Sequence, residues 1–401
     1  MSTGGFSPAA LPAEQTLKDY YESLHRVPEL GKEEYKTAEF IRKQLKSFGY
    51  DDLLSVEAAP TTVIAVLDTG KPGPVNCFRA DMDARKCREK SGVAYASTID
   101  GIMHNCGHDA HSAILLETAK RLLLEKSKLK GKLVFLFQPA EECAGGADDI
   151  VNDGVLKRLG VETIIAQHCA PGLEVSRHTL KDGSVLAGSN KLSINLKGKG
   201  GHAAQVHERD DLAALASLLT LELERLPSRI ADPILYPCIC SISTSNWDSE
   251  QLNVAPSTIS LSGTVRAFFD MDEKLFQGKS FREKIDQLVS GFASAYGVEA
   301  DVELKAGVPP TKNDPALCAR ARKILSKSGI ELSEAERALF AEDFSFYNKS
   351  IPSAYFGLGI ARDNAGKENV HSAGFNIHED CLEEGVKLFV TLAEGLASAK
   401  N

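Results

Sequence analysis

The chain has 401 residues, a formal net charge of -9 at pH 7 and nine cysteines. At about 150 residues per domain, this length predicts two or three domains. The negative charge argues against nucleic acid or an anionic membrane as the main partner, and no apolar run approaches the roughly 20 residues that span a bilayer. The odd number of cysteines indicates free thiols in a reducing compartment. The polar N-terminus lacks the pattern of a secretory signal, so we expect a cytoplasmic protein.

The first half of the chain alternates helical and strand patterns. Apolar residues at helical spacing between 15 and 48 predict two amphipathic helices, broken around Pro28–Gly31. Further strands and helices are predicted, in order, at Thr62–Leu67, Val75–Arg79, Ala110–Lys126 (helix), Lys132–Phe137, Asp148–Leu159 (helix) and Thr163–Gln167. This order is typical of an α/β fold with a mixed, mostly parallel sheet and helices on both faces.

The pattern changes near Gly188 and returns to the first type after Pro309-Pro310. Between these points we predict strands and helices at Lys191–Lys197, Asp211–Leu226 (helix), Ile234–Ser243, Thr258–Phe268, Glu273–Tyr296 (helix) and Val298–Leu304. This strand-helix-strand-strand-helix-strand order predicts a ferredoxin-like α+β unit. The helix Pro315–Ser328, the strand Ser353–Leu358 and the helix Cys381–Ser398 then follow.

The chain is therefore predicted to hold a discontinuous larger domain of residues 1–186 and 305–401, with a second domain of residues 187–304 inserted in it. We expect hinges near Gly188 and near Lys305–Gly307.

A metal site is indicated by the segment 103–111, which contains one cysteine, three histidines and one aspartate. Thiolate, imidazole and carboxylate are the ligands of transition metals, above all of zinc. A lone histidine is usually a satisfied core residue, but such a cluster rarely is. Cys106 and His108, two residues apart on a loop, can face one cavity. His104 and Asp109 accompany them, and His111 alternatively only supports the loop.

Other candidate residues follow predicted strands, where the working residues of a parallel sheet gather. Of the adjacent Glu141 and Glu142, one can bind metal while the other handles a proton. The alternative is an ordinary helix start, where acidic side chains suit the positive end of the dipole. Asp81, Asp83 and His168 also follow strands.

The later segments are weaker when taken singly. His202 follows glycines that allow a close backbone approach to a ligand, and its alternative is a surface histidine in a tight turn. Asn253 and Arg266 lie near consecutive predicted strands, where they hold a carboxylate or form a surface pair. Glu342-Asp343 and His371 are compatible with ordinary solvated residues.

Together, these segments resemble the amidohydrolase family that includes auxin-conjugate hydrolases, hippurate hydrolases, N-acetyl-diaminopimelate deacetylases and bacterial carboxypeptidases, relatives of aminoacylase. The resemblance runs from about residue 17 to the end. The segments that carry it are Arg79–Ala84, His104–Asp109, Gln138–Glu142, Gly198–His202, Gly263–Arg266 and Glu342–Ser345.

The resemblance implies that residues 1–186 and 305–401 form a di-metal exopeptidase-like catalytic, metal-binding domain that holds two divalent ions, zinc or manganese. It also implies that the inserted residues 187–304 form a lid and dimerisation domain. The implied metal ligands are Cys106, His108, Glu142, His168 and His371. Glu141 is then the general base and acid, and His202 comes from the lid, in dimeric relatives often the partner's lid. Asn253 and Arg266 lie where relatives grip the substrate carboxylate. A homodimer, or a higher homo-oligomer, is expected.

The expected function is metal-dependent hydrolysis of N-acyl or N-aminoacyl amino acids to a free amino acid and a carboxylic acid. The alternatives are a dipeptidase or carboxypeptidase that uses the same site, and a non-catalytic metal-dependent binding protein. Some residues depart from the family pattern. Arg85 and Lys86 stand where leucine and proline are usual, and Cys143 and Cys169 stand where glycine is common.

Overall fold

A computed structural model describes residues 15–143 and 145–398. Its helices are α1 Leu17–Arg26, α2 Tyr35–Phe48, α3 His108–Leu124, α4 Gly146–Asp153, α5 Val155–Arg158, α6 Leu212–Ile230, α7 Phe281–Tyr296, α8 Pro315–Lys327 and α9 Asp380–Ser398. Short 3-10 helices cover Lys126–Lys128, Val206–Glu208 and Asp343–Lys349. Within the described residues, no helix is both long and apolar enough to cross a membrane.

The strands are numbered in chain order. They are β1 Leu54–Val56, β2 Ala59–Asp68, β3 Val75–Asp81, β4 Arg85–Lys86, β5 Ile102–Met103, β6 Lys132–Gln138, β7 Thr163–Glu174, β8 His178–Thr179, β9 Gly183–Leu186, β10 Gly188–Lys197, β11 Gly201–His202, β12 Cys238–Trp247, β13 Val254–Ala255, β14 Thr258–Ala267, β15 Glu299–Ala306, β16 Thr311–Asn313, β17 Leu332–Ser333 and β18 Ser353–Ala361.

The larger sheet has the order β1-β2-β6-β3-β7-β18-β8-β17. Its centre, β6-β3-β7-β18, is parallel, whereas β1 and β2 pair antiparallel at one edge. One face packs against α1, α2, α3, α8 and α9, and the opposite face packs against α4 and α5. The predicted α/β fold with a mixed, mostly parallel sheet between helices is therefore confirmed.

The smaller sheet has the order β12-β14-β10-β15 and is antiparallel throughout. Helices α6 and α7 pack on it and form a separate apolar core. The chain order β10-α6-β12-β14-α7-β15 is the expected ferredoxin-like one. The chain enters and leaves this smaller unit at adjacent points, since Ser189 N–H donates to Val308 C=O at 2.8 Å.

Three predicted elements differ from the observed ones for local reasons. The strand predicted at 234–243 begins only at Cys238, after Pro237, whose nitrogen cannot donate to a strand partner. The helix predicted from Glu273 begins at Phe281, because Ser280 and Glu283 form a capping box there. The helix predicted at 148–159 is split at Gly154, which has a φ of 76°.

Candidate metal centre

The five predicted metal ligands converge beyond the carboxyl ends of the central parallel strands. Cys106, His108 and His168 form one triad, and Cys106, Glu142 and His371 form another. In each triad the ligand atoms lie within 4.8 Å of one another. We call them the first and the second triad. They share the Cys106 thiol, which is the geometry that two neighbouring ions would need.

The histidines of the first triad are oriented by backbone carbonyls. His108 Nδ1–H donates to Asp83 C=O at 2.9 Å, and His168 Nδ1–H donates to Cys169 C=O at 2.9 Å. Such bonds fix the tautomer that leaves Nε2 free to bind a metal. His108 Nε2 is buried and has no hydrogen-bond partner among the described residues, and His168 Nε2 lies 3.4 Å from Cys106 Sγ. An unpartnered buried nitrogen facing a thiol fits a bound cation.

The second triad is more open than the first. The His371 side chain is 44% exposed and its Nε2 lies 3.3 Å from Glu142 Oε1. Its backbone is left-handed, with a φ of 69°, and its N–H donates to Asn105 C=O at 2.6 Å. Burial tends to raise the pKa of Glu142, but the neighbouring positive groups His371, His108 and Arg85 prevail and lower it to about 2. Glu142 is therefore an anion that is ready to bind a cation.

The turn that carries the two glutamates is held by buried carboxylates. Asp83 accepts the backbone N–H of Glu141 at 3.1 Å and that of Glu142 at 3.0 Å. Glu34 accepts the N–H of Ala140 at 2.7 Å, and Ala140 itself has a φ of 57°. A left-handed non-glycine residue costs roughly 1 to 3 kcal/mol and persists only where surrounding contacts hold it.

Glu141 differs in protonation from its neighbour Glu142. Burial raises the pKa of Glu141 well above its usual range, and the negative charges of Glu342 and Asp343 add to this effect. Its Oε1 accepts the backbone N–H of Asp343 at 3.4 Å. A carboxylate with a raised pKa beside candidate metal ligands has the properties of a general base and acid.

A buried polar layer lies beneath the triads, and Arg79 is at its centre. The Arg79 guanidinium is 1% exposed and donates to four side chains. The acceptors are Gln138 at 2.8 Å, Asp81 at 2.6 Å, Glu342 at 3.0 Å and Asp343 at 3.2 Å. These bonds join strand β3 to the segment that begins the last 3-10 helix.

His111 belongs to this layer and not to the triads. Its Nδ1–H donates to Asp81 at 2.6 Å, and its Nε2 accepts the backbone N–H of Cys169 at 2.9 Å. Both ring nitrogens are therefore used, which agrees with a supporting role for His111. Asp109 pairs with His25 at 2.5 Å, and His104 is buried outside both triads. The 103–111 cluster is thus divided among several sites.

A cavity of about 620 Å³ opens over the triads. Its lining includes Glu141, Glu142, His168, His371, Arg85 and Arg266. His202 and Asn253 are not among the residues that line it. His202 is exposed on the ribbon formed by β11 and β13, and Asn253 directly precedes β13. Next to the ribbon, Ala203 N–H donates to Asn253 C=O at 2.9 Å. Of the three residues predicted from the smaller unit, this chain brings only Arg266 to its own cavity.

Sequence reasoning missed the roles of Arg79 and Glu34. A signal for Arg79 was present, because Arg79, Asp81 and Asp83 alternate with apolar residues and so face one side of a strand. Charged residues repeating at this period within a buried strand indicate a polar network. No comparable local signal exists for Glu34, whose partner Ala140 is more than a hundred residues away in the sequence.

Comparisons with known proteins agree with this geometry. The model of peptidase family M20/M25/M40 matches residues 77–395. An N-acetyl-L-cysteine deacetylase of Bacillus subtilis is 34% identical over 90% of this chain and 83% of its own. An IAA-amino acid hydrolase of Arabidopsis thaliana is 34% identical over 92% of this chain and 83% of its own.

A solved structure is also similar over nearly the whole length. It is described as a dinuclear metal binding peptidase from the M20 family, from Bacillus subtilis. It is 30% identical, superposes with a TM-score of 0.82, and the match covers 94% of this chain and 96% of that chain. With its motifs, its fold and these matches, the chain belongs to peptidase family M20/M25/M40.

Proposed function

We propose that this protein is a metal-dependent amidohydrolase that cleaves N-acyl or N-aminoacyl amino acids to a free amino acid and a carboxylic acid. The observation that carries the proposal is the pair of triads sharing Cys106, with Glu141 beside them in one cavity. The names of the relatives support it, since these include deacetylases of N-acetylcysteine and N-acetyldiaminopimelate and hydrolases of IAA-amino acids.

The proposed cofactor is a pair of divalent ions held by the five triad residues. When bound, such ions polarise a carbonyl and lower the pKa of water toward neutrality. Cys106 as a soft thiolate favours zinc, whereas the nitrogen and carboxylate ligands also suit manganese. The unpartnered Nε2 of His108 and the anionic Glu142 support this fit.

The protein's own groups then divide the remaining work. Glu141 accepts a proton from the attacking water and delivers it to the leaving nitrogen, for which its raised pKa prepares it. Acid-base transfer of this kind contributes roughly 10² to 10⁴ in rate. Arg266 lines the cavity and binds the carboxylate of the amino acid through its planar guanidinium.

We propose that His202 and Asn253 act in the cavity of a second copy in a homodimer. His202 lies on the exposed ribbon and the exposed Asn253 directly precedes its second strand. The smaller unit also exposes several apolar side chains. These exposed residues include Leu218, Leu221, Ile239, Trp247 and Leu252. In this arrangement His202 stabilises the developing oxyanion, and Asn253 assists Arg266 in binding the carboxylate.

We further propose that residues 187–304 form a lid over a catalytic domain of residues 1–186 and 305–401. The separate core of the smaller unit and the adjacent crossings at Ser189 and Val308 support this division. A reversible crosslink that ties the smaller unit to the larger sheet across the cavity should abolish turnover, and reduction should restore it. Full turnover by the crosslinked protein would contradict a closing lid.

A cytoplasmic location is also proposed, because the cysteines of the protein are free thiols.

The function is tested with metal-loaded protein and a panel of N-acetyl, N-benzoyl and longer N-acyl amino acids beside dipeptides. We expect chelator-sensitive release of amino acid from the N-acyl compounds. Preferred cleavage of dipeptides would favour a dipeptidase, and no cleavage of any substrate would contradict the proposal.

The role of Glu141 is tested by Glu141→Gln, which keeps the shape of the side chain but removes its basicity. We expect turnover to fall by about 10² to 10⁴ while bound metal stays unchanged. Glu336→Gln, on the wall of a neighbouring cavity, is the control. Wild-type turnover in Glu141→Gln would refute the assignment.

A further inference from the structure

Arg85 contacts two of the residues that form the second triad. It lies on β4 at the edge of the cavity, and its Nη1 donates to Glu142 Oε2. The same nitrogen lies 3.4 Å from His371 Nε2. A side chain of the protein thus places a permanent positive charge between two candidate ligands of one cation.

We propose that Arg85 is a resident cation of the second triad, which competes with a divalent ion for Glu142 and His371. The two ion positions of the centre are therefore unequal. The first triad fills first, and the second triad fills only when the ion displaces the guanidinium. This inference concerns the affinity of the centre for ions, so it is separable from the substrate proposed above.

The chemistry of arginine makes the competition direct. A guanidinium is always protonated and offers only donors, so it cannot become a ligand beside the ion. Glu142 and His371 would hold the ion next to the place that Arg85 occupies, since Arg85 Nη1 lies 3.4 Å from His371 Nε2. The guanidinium and a divalent ion this close together repel one another, so Arg85 lowers the affinity of the second triad for the ion.

Displacement of Arg85 is sterically feasible. The Arg85 side chain is 37% exposed and lines the open cavity, so it can turn toward solvent, whereas the Glu142 side chain is 10% exposed. Glu142 stays in place because its backbone N–H is bound by Asp83. The exchange therefore requires movement of one flexible side chain and no change in the turn.

No competitor of this kind faces the first triad among the described residues. His108 Nε2 has no hydrogen-bond partner and lies 3.7 Å from the carboxylate of Asp81, and His168 Nε2 lies 3.4 Å from Cys106 Sγ. Arg79, the buried arginine of the layer below, is already bound to four acceptors. The second triad thus presents a carboxylate that is already paired with an arginine, whereas the described residues place no arginine in hydrogen-bond contact with His108 or His168 of the first.

The test is a titration of chelator-treated full-length protein with Zn²⁺ alone, followed by calorimetry and by competition with a chromogenic chelator. Wild-type protein is expected to bind Zn²⁺ in two steps, a tight step at the first triad and a weaker step at the second. Arg85→Gln should tighten the weaker step by about tenfold or more, since one adjacent positive charge is removed. The tight step should change less than the weaker step, because the residues that Arg85 contacts, Glu142 and His371, belong to the second triad.

Lys86→Gln is the matched control, because it removes the same charge from the next residue, which is exposed. It should leave both steps at their wild-type affinities. Arg85→Lys keeps the positive charge, so the affinity of the weaker step should stay low. This second variant keeps the test informative if Arg85→Gln fails to fold.

Equal tightening of both steps by Arg85→Gln, or an unchanged weaker step, would overturn the proposal. So would a single Zn²⁺ bound by both the wild type and Arg85→Gln. Because the readout is binding, loss of hydrolysis in any variant leaves the result interpretable, and failure of the proposed function is seen separately in the substrate panel.

Discussion

The polar layer around Arg79 and the ribbon that carries His202 differ in how their side chains are held: the first is buried and hydrogen-bonded, and the second is exposed. In the layer, every polar group of Arg79 and both nitrogens of His111 are bound to buried partners. The ribbon consists of two-residue strands on an exposed surface. The first geometry is fixed by folding of the single chain, whereas the role proposed for His202 requires that the ribbon reach the cavity of another chain.

The largest expected effect comes from breaking the buried layer. Arg79→Leu leaves Asp81, Glu342 and Asp343 without their common partner, so we expect a loss of about 3 to 5 kcal/mol in the free energy of unfolding, or failure to fold. Denaturant unfolding is the measurement. Arg88→Leu, which removes an exposed pair with Asp100, should cost only about 0 to 1 kcal/mol. Similar costs for the two variants would show that the layer is not what holds the site.

The ribbon should show the reverse behaviour. His202→Ala should change the free energy of unfolding by less than about 0.5 kcal/mol, because the residue is exposed. Its turnover should fall by about 10² to 10³, which is the usual cost of losing an oxyanion donor.

Mixing two inactive variants sharpens this comparison. In a hybrid dimer of His202→Ala and Glu141→Gln, one cavity has both an intact Glu141 and an intact His202 from the other chain. A random mixture of chains should therefore recover about a quarter of wild-type activity. No recovery, in a mixture shown to exchange subunits, would mean that His202 acts within its own chain.

A smaller effect is expected at His25, where helix α1 meets Asp109 of the 103–111 segment. Burial lowers the pKa of His25, but Asp109 and Glu89 outweigh it and raise the pKa to about 9. Burial likewise raises the pKa of Glu89, but bonds with His25, Ser91 and Ser97 bring it to about 2. Since the unfolded values are about 6.5 and 4.3, the His25 contribution is complete below pH 6.5 and lost as pH rises through 9. The Glu89 contribution is complete above its unfolded pKa and lost as pH falls through 2.

The Glu89→Gln variant tests the ion pair between His25 and Glu89. Its cost in unfolding free energy should be larger at pH 6 than at pH 10, by about 1 kcal/mol after allowance for solvent screening. Glu222→Gln, whose partner Arg225 does not titrate in this range, should cost the same at both pH values. Equal costs of Glu89→Gln at pH 6 and pH 10 would contradict the ion pair.

Much of the fold was predictable because its signals are local. The buried strands and the amphipathic helices were found by their periodicity, and the family motifs led to the five triad residues. The errors also have local causes that were visible, such as Pro237 before β12 and the Ser280 capping box before α7.

The contacts within the site were less predictable, because they join distant parts of the chain. The pairing of His111 with Asp81, or of Arg85 with Glu142, depends on which strands are neighbours and how side chains turn. The motifs singled out His108 from the cluster, but only the structure shows that His111 bonds to Asp81 and Cys169 and that His104 lies outside both triads.

The two chain segments that connect the larger and the smaller unit lie side by side, which has a consequence for protein engineering. Ser189 and Val308 are one hydrogen bond apart, and Gly188 and Gly307 pack closely against the opposite crossing. A segment whose ends meet in this way can be exchanged for another, or replaced by a short linker, without rerouting the rest of the chain. The larger sheet and its buried polar layer thus form a scaffold onto which different smaller units could be grafted to change what enters the cavity.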